Sequence, residues 1–193
     1  AYQISQTPSE ALADLMRLES LPQDRICADY YERSPEEDCL KIYSSNAVHL
    51  SDIVPIISNF GFVVRNEISL PYESDGLRRF AISFSVDPHP SYSRADRVRI
   101  SQALEAVINR EIISEPLDSL VLLGGLSARE LHLIKALSGY FFQILKSYGR
   151  LMHQRTLTSY PEYVRTLIEY FQARLGAASD EEAARMKIES ELQ

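Results

Sequence analysis

The sequence is short of the features that mark membrane, secreted and metal-binding proteins. It has no run near the ~20 apolar residues that a bilayer span needs, so it predicts no membrane helix. No basic stretch followed by an apolar segment opens the chain, so it predicts no secretory signal. The only two cysteines, Cys27 and Cys39, match no metal-ligand spacing, and the four histidines form no metal-binding pair. These absences favour a globular protein of a reducing, cytoplasmic compartment.

Positive charge is also scarce. The 193 residues include 20 Lys and Arg against 27 Asp and Glu, a net charge of −7, and no cluster of basic residues interrupts the trend. This sign is wrong for a partner with a phosphate backbone, so no nucleic acid is expected. Hydrophobic residues make up 45% of the chain, enough for a sizeable core. The length allows one large domain or two small ones.

Motifs that carry catalysis are missing as well. The chain has no glycine-rich dinucleotide fingerprint, no phosphate-binding P-loop and no serine nucleophile elbow. Gly124 and Gly125 form a pair without the third glycine of a fingerprint and are better explained as a helix stop. Glu36, Glu37 and Asp38 are typical of a solvated turn. We therefore predict no catalytic, cofactor-binding or metal-binding residue in this chain, and we expect the chain alone to be inactive.

Hydrophobic periodicity predicts four strands and two helices between residues 25 and 113. The clearest strand, 78–87, alternates large apolar residues with small ones at Ala81, Ser83 and Ser85. The predicted strands are 25–33, 38–44, 62–70 and 78–87. A helix is expected after His49, with Gly61 as its stop and Pro55 tolerated only in its first turn, and a second helix over 94–113.

This order of elements predicts the fold class. Without the first strand it reads β-α-β-β-α, a ferredoxin-like unit that lacks its last strand. The 25–33 strand pairs with 38–44 and fills the vacant place. We therefore predict an α+β, ACT-like (circularly permuted ferredoxin-like) four-stranded antiparallel or mixed sheet with two helices on one face. In space the expected order is 25–33, 38–44, 78–87, 62–70, and the Ala81 face should lie open or against another element.

The hairpin bears on the two cysteines. A turn at residues 34–37 makes paired positions add up to about 71, which sets Cys39 opposite Glu32 and Cys27 opposite Ser44. The cysteines are then several residues out of register, too far apart for a disulfide.

The flanking regions are expected to be helical. An N-terminal helix opens with a capping box at Thr7 and Glu10, carries Leu12, Leu15 and Met16 at helical spacing and ends at Pro22. Further capping boxes at residues 127–130 and 159–162 predict a buried helix to about residue 148 and another from about 160. Residues 180–193 are polar and helix-prone. The domain division is 1–24, an N-terminal helix; 25–113, the ACT-like domain; and 114–193, an all-α helical subdomain.

One binding site is a candidate. Small effectors of ferredoxin-like regulatory domains often lie against the loop from the first strand into the first helix. Here Ser45 and Asn46 lie in that loop, and Ser51 and Asp52 lie at the helix start, where free N–H groups suit a carboxylate. The Asp52 carboxylate is itself a negative charge in the first turn of this helix, which argues against a bound anion there.

Three blocks carry a resemblance to a known family. They are LKIY, LSDIVPII and NFGFVV within residues 40–64, LVLLGGLSARE at 120–130, and the run from YPE at 160–162 to FQAR at 171–174. In this order they resemble the large bacterial NAD-dependent glutamate dehydrogenases. Ala128 stands where that family usually has tryptophan, so the chain looks like a divergent member.

The resemblance implies a function for the parent enzyme. It implies an oxidoreductase that converts L-glutamate, NAD and water to 2-oxoglutarate, ammonium and NADH, with NAD as the parent's cofactor and none bound in this fragment. The chain would be a non-catalytic regulatory and assembly segment upstream of the catalytic domain. Its partners would be the remainder of its own chain and further copies in a homo-oligomer. The alternative is a free-standing ACT-like small-molecule-binding module with a helical oligomerisation tail.

Overall fold

Four strands form the centre of the protein in the computed structural model, which describes residues 7–22, 24–74, 77–89, 91–145 and 149–174. The strands are β1 Cys27–Ser34, β2 Glu37–Ser44, β3 Val64–Ser74 and β4 Leu77–Val86. The helices are α1 Pro8–Glu19, α2 Leu50–Phe60, α3 Arg94–Ile108, α4 Leu120–Leu123, α5 Ala128–Ile144, α6 Arg150–Ser159 and α7 161–174. A short 3-10 turn, Pro116–Ser119, leads into α4.

The sheet has the order β1-β2-β4-β3, and every neighbouring pair is antiparallel. This is the predicted strand order, and the ACT-like α+β fold class is confirmed. The order follows from the chain: β1 and β2 form a hairpin, β3 and β4 form a second hairpin, and the crossing helix α2 sets β4 beside β2.

The two faces of the sheet have different neighbours. One face, which includes Leu40 and Phe84, packs with Ile57 of α2 and Leu104 of α3 in the main core. The other face carries the small residues of β4 and packs against α1, where Leu18 joins Ala81 in a second cluster. The Ala81 face was expected to lie either open or against another element, and the structure shows that α1 covers it.

Helix α1 does not bury the apolar residues that its spacing brings together. Its capping box at Thr7 and Glu10 is present, but Leu12 and Met16 are exposed, and the helix buries Asp14 and Leu18 instead. Asp14 is buried because it forms an ion pair with Lys41 of β2, whose ammonium lies 2.8 Å from the Asp14 carboxylate.

The predicted register of the first hairpin is wrong by one residue. Ser34 does pair with Glu37, as the turn requires, but a bulge between Glu32 and Ser34 shifts the ladder beyond it. Cys39 therefore lies opposite Tyr31 rather than Glu32, and Cys27 opposite Tyr43 rather than Ser44. Both cysteines are free thiols and buried.

Several element ends differ from expectation. The strand predicted to stop at residue 70 continues through Pro71 to Ser74, which an edge strand permits because a proline there can direct its missing N–H away from the sheet. Helix α3 ends at Ile108 rather than 113, since Arg110 takes a left-handed conformation. Pro55 lies inside α2 beyond its first turn, while Gly61 ends that helix with a φ of 97°, as predicted.

The helical part also departs from the prediction. Helix α5 begins with the expected Ser127–Glu130 capping box and buries Leu131, but it ends at Ile144, and its last residues are exposed. Helix α6 was not predicted, because its polar sequence has no clear apolar stripe. Ser159 is the last residue of α6 and does not cap α7. The helix expected over residues 180–193 lies outside the described residues.

The Gly124–Gly125 pair stops α4, as predicted, and also joins the two parts of the chain. Arg99 of α3 donates to the carbonyl oxygens of Val121 and Leu126 at 2.8 and 2.9 Å. Arg165 of α7 donates to the carbonyls of Gly124 and Gly125 at 3.0 and 2.7 Å. One turn of backbone is thus held by a guanidinium from the ACT-like domain and one from the helical part. No helix among the described residues is long and apolar enough to cross a bilayer.

Candidate functional site

The predicted effector loop lies at the mouth of a cavity. Strand β2 ends at Ser44, residues 45–49 turn the chain, and α2 begins at Leu50. His49 is the N-cap of α2, but its side chain makes no capping hydrogen bond. The N–H of Asp52 donates to the His49 carbonyl at 3.0 Å. The first turn of α2 therefore has a backbone hydrogen bond but no side-chain cap from His49.

The cavity has a volume of about 720 Å³ and lies between this loop, the first turns of α2 and the end of α3. Two of the four predicted residues, Asn46 and Asp52, line it. Ser45 and Ser51 belong to the same loop and helix turn but are not among the lining residues. The structure therefore brings half of the predicted set to one cavity, whose volume lies within the range of small-molecule sites.

The walls of this cavity are of two kinds. Apolar side chains form the floor: Ile26, Val48, Ile53, Ile56, Val107, Ile108 and Ile112. The polar wall contains Asp24, whose Oδ1 accepts from the Asn46 amide at 3.4 Å, together with Asp52 and Arg110. Groups of both signs therefore face an apolar floor, an arrangement suited to a small molecule that is itself partly charged.

Three lining residues escaped the sequence analysis. Asn109 caps α3 and ties it to the start of β1, because its side chain accepts from the Ile26 N–H at 3.0 Å and donates to the Ile26 carbonyl at 2.8 Å. Asp24 and Arg110 have φ values of 59° and 62°, a left-handed conformation that side chains rarely adopt. Asn109 followed by a polar residue resembles a helix end, and that was the only signal available.

A second cavity, of about 820 Å³, follows the outer edge of β1 between α1 and α3. The buried Lys41 is one of its lining residues, and its ammonium lies 2.8 Å from both carboxylate oxygens of Asp14. The hydroxyl of Tyr43 donates to the same carboxylate at 2.8 Å. Burial, and then the Asp14 charge, raises the pKa of Tyr43 far above its ordinary value, so the phenol stays protonated.

A related cluster holds the other end of β2. Asp38 is fully buried and accepts from the Tyr30 hydroxyl at 2.5 Å and from the His89 N–H at 2.9 Å. The guanidinium of Arg97 lies 2.9 Å from the same carboxylate. Burial, and then the Asp38 hydrogen bond, raises the pKa of Tyr30 well above its usual range. The positive charge of Arg97 compensates the negative charge of Asp38, and this ion pair anchors α3 to the sheet.

The backbone edge of β1 is closed by side chains of α3. The N–H groups of Ile26, Ala28 and Tyr30 donate to Asn109, Glu105 and Ser101 respectively, at 2.9 to 3.0 Å. The donors are two residues apart and the acceptors four residues apart. The two spacings match because two strand residues and four helix residues each advance roughly 6–7 Å. This edge is therefore not open to an added strand.

The described residues offer little for catalysis. Among them, no group of three or more His, Cys, Asp or Glu side chains is placed to hold a metal ion. The thiol pKa of Cys27 is raised by burial, which disfavours a reactive thiolate. Of the three acids expected in a solvated turn, Glu36 lies in the β1–β2 turn, whereas Glu37 begins β2 and Asp38 is buried within that strand. The expectation is therefore wrong for Asp38, because its partners come from elements distant in sequence.

The fold and these contacts define a class, an ACT-type α+β domain joined to a helical motif. Residues 26–100 match the family model for the ACT3 domain of glutamate dehydrogenase, and residues 113–177 match the model for its helical motif 3. The two models together cover more than half of the chain. The chain belongs to the glutamate dehydrogenase family.

Curated relatives agree with the family models. The chain is 25% identical over 95% of its length to the NAD-specific glutamate dehydrogenase of Mycobacterium tuberculosis, of which it covers 12%. It is 24% identical over 87% of its length to the NAD-specific glutamate dehydrogenase of Halomonas elongata, of which it covers 11%. The chain therefore spans about an eighth of the length of these relatives.

Proposed function

We propose that this chain is a non-catalytic regulatory and assembly segment of a cytoplasmic NAD-dependent glutamate dehydrogenase. The parent enzyme would oxidise L-glutamate with NAD and water to 2-oxoglutarate, ammonium and NADH. The observation that carries the proposal is the pair of consecutive family matches, an ACT3 domain and a helical motif. The described residues contain no cluster suited to hydride transfer or ammonia release, so this segment would serve packing and surface contacts.

The first test concerns the isolated chain. Purified protein is incubated with L-glutamate and NAD, and NADH formation is followed at 340 nm. We expect no turnover above buffer. Glutamate-dependent NADH formation by the pure chain would contradict the non-catalytic assignment.

The second test concerns assembly in the parent enzyme. Leu131 is fully buried at the start of α5, so Leu131→Asp would place an unpaired charge in the helical core. His132→Asp on the exposed side of the same helix is the matched control. We expect Leu131→Asp to lower the oligomer mass measured by light scattering, while the control keeps it. A Leu131→Asp enzyme with the parental mass would argue against an assembly role.

The alternative function, a small-molecule-binding module, is favoured by the cavity at the β2–α2 loop. An effector there would contact Asn46 and Asp52. Titration calorimetry of the chain with a panel of amino acids tests it, with Asp52→Ala as the matched variant. Binding heat from one amino acid that is absent in the Asp52→Ala variant would support this alternative function. The absence of binding heat at millimolar concentrations of every amino acid would contradict it.

A further inference from the structure

Helix α1 lies outside the main core of the protein. The main hydrophobic cluster combines side chains of the sheet with those of α2, α3 and the helical part, and within the described residues it contains none from α1. The apolar contact of α1 is made by Leu18, which belongs to a separate small cluster with Cys27, Tyr43 and Ala81. The match to the ACT3 family model also begins after α1, at residue 26. Removal of α1 from the sheet would therefore leave the main core intact.

The other attachments of α1 are charged groups. Asp14 pairs with the buried Lys41 of β2 at 2.8 Å. Glu10 and Arg17 form ion pairs with residues of β1 at 3.4 and 3.3 Å, and both of these pairs are partly exposed to solvent. All these charges would regain water if α1 moved away, and their hydration offsets much of the attraction between them. The ion pairs therefore fix the position of α1 but add little net stability.

The sheet face under α1 differs in composition from the main core. Side chains alternate along a strand, so Cys39, Lys41 and Tyr43 of β2 share this face, and all three are buried. Strand β4 adds Ala81 and Ser83, whose hydroxyl oxygen lies 3.2 Å from the Cys39 sulfur. Because these side chains are mostly small or polar, their contact with water costs less than exposure of large aliphatic groups. This face can therefore become exposed while the sheet stays folded.

We propose that α1 is a releasable cover of the sheet, which detaches as a unit while the strands, α2 and α3 keep their packing. On release, Leu18 leaves Ala81, the Asp14–Lys41 pair separates into two hydrated ions, and the face with Cys39 opens to solvent. Local openings of this kind occur in elements with few buried apolar contacts. The released form is a minor state, so it adds no separate step to an unfolding curve. Helix α1 thereby controls access to this face, a device that does not depend on the assembly role.

Thiol labelling of the full chain under native conditions tests the release. Cys39 is fully buried, so iodoacetamide reaches its sulfur only in an opened form. The labelling rate, read by mass spectrometry of the Cys39 peptide, is divided by the rate for the urea-unfolded chain to give the open fraction. Urea unfolding followed by circular dichroism gives the globally unfolded fraction under the same conditions. We expect the open fraction to exceed the unfolded fraction at least a hundredfold.

Two variants identify which part of the protein opens. Leu18→Ala removes the apolar contact of α1, and loss of a buried leucine typically changes such an equilibrium by more than tenfold. Ile100→Val is the matched control, since it removes one methyl group from a fully buried side chain of the main core. We expect Leu18→Ala to speed the labelling of Cys39 at least tenfold. Ile100→Val should change the labelling rate less than twofold, although it raises the globally unfolded fraction.

Each other outcome overturns the proposal. Equal open and unfolded fractions in the unsubstituted chain would show that Cys39 is exposed only by global unfolding. A labelling rate that rises in Ile100→Val in step with the unfolded fraction would show the same. An unchanged rate in Leu18→Ala would show that the thiol is reached without movement of α1. A Leu18→Ala chain that failed to fold, as judged by circular dichroism, would show that the main core needs α1.

Discussion

Lys41 is among the largest fully buried side chains of the described residues, and its position explains how α1 is held. A buried ammonium is costly unless a carboxylate and further hydrogen bonds compensate it. Asp14 supplies both oxygens, and Tyr43 donates to the same carboxylate. Helix α1 is therefore attached to the sheet by Leu18, by this network and by ion pairs from Glu10 and Arg17 to β1. Its residues Leu12 and Met16 face solvent.

Substitution of Lys41 alone should destabilise the protein strongly. Lys41→Met leaves the Asp14 carboxylate buried without its cation, which costs about 3–5 kcal/mol in comparable sites. The triple variant Asp14→Leu, Lys41→Met, Tyr43→Phe replaces the whole network with apolar groups and should recover most of that loss. Urea unfolding followed by circular dichroism measures both. If Lys41→Met alone unfolded at the parental urea concentration, the pair would not hold α1 in place.

Gly125 illustrates a residue whose importance depends on contacts distant in sequence. Its φ of 65° strains any other residue, and an added Cβ would lie 2.9 Å from Nη2 of Arg165. Gly125→Ala should therefore lower the free energy of unfolding by more than about 1 kcal/mol, the usual cost of such a backbone conformation. Gly139→Ala is the control, since its added Cβ meets no atom within 4 Å and lies in a helix. Equal effects in the two variants would contradict this explanation.

At the scale of the element, helix α3 depends on its first turn. Ser93 Oγ accepts from the Asp96 N–H at 3.2 Å, and Asp96 accepts from the Ser93 N–H at 3.0 Å. The hydrogen bonds from Ser93, with a further one from Arg99, lower the pKa of Asp96. Its contribution to stability is therefore present above the unfolded value and is lost as the pH falls through the folded one.

Removal of this cap gives a measurable loss. Ser93→Ala should lower the free energy of unfolding by about 1 kcal/mol, the typical value for an N-cap serine. Ser91→Ala, two residues earlier and exposed, is the matched control and should change stability by less than about 0.5 kcal/mol. Thermal unfolding at neutral pH compares them. A loss of the same size in both variants would mean that the cap is not the cause.

Helix α6 is joined to α5 through His153, which gives the contact a pH dependence. The ring stacks on Phe141 at 4.6 Å between centroids, and burial lowers the pKa of His153. A neutral imidazole is thus favoured in the folded state. Below the unfolded pKa the unfolded chain binds more protons, so stability falls as the pH falls and levels off below the folded pKa.

Comparison with His153→Phe isolates this effect. Unfolding by urea is measured at several pH values from 7.5 to 5. The difference in unfolding free energy between the chain and the variant should be constant above pH ~6.5, the ordinary histidine value, and should move in favour of the variant below it. The other histidines are present in both proteins and cancel. A difference that stayed constant over the whole range would contradict a buried, neutral His153.

Sequence patterns predicted most of these elements for identifiable reasons. The alternation of β4 and the end of α2 at Gly61 depend on local chemistry, so the sequence reports them directly. The order of the elements so identified then predicted the order of the strands in the sheet. The bulge at residues 32–34 and the burial of Asp14 depend on partners distant in sequence, which no local pattern reports. For the candidate site, Asn46 and Asp52 were predicted from their places in the loop and at the helix start, and both line the cavity. Asp24 and Arg110 were missed because the fold alone brings them there.

At the scale of the whole molecule, the ACT-like domain and the helical part share polar contacts as well as a core. The Arg99 and Arg165 hydrogen bonds converge on one turn of backbone, residues 121–126. Lys135 of α5 pairs with the buried Asp118 beside the same turn. A displacement of α7 would therefore disturb the same turn of backbone that binds Arg99 of α3.

This coupling predicts one cooperative transition. The chain should unfold in a single step, with coincident curves from calorimetry and from circular dichroism, because neither part can release the shared turn alone. Replacement of both arginines, Arg99→Met with Arg165→Met, leaves four partly buried carbonyls without these donors and should separate the helical part as an earlier transition. Arg129→Met, an arginine on α5 outside the shared turn, should keep the single transition. Two transitions in the parent chain would mean that the two parts unfold independently, which contradicts the coupling. A single transition in the double variant would mean that the apolar core, and not the shared turn, couples them.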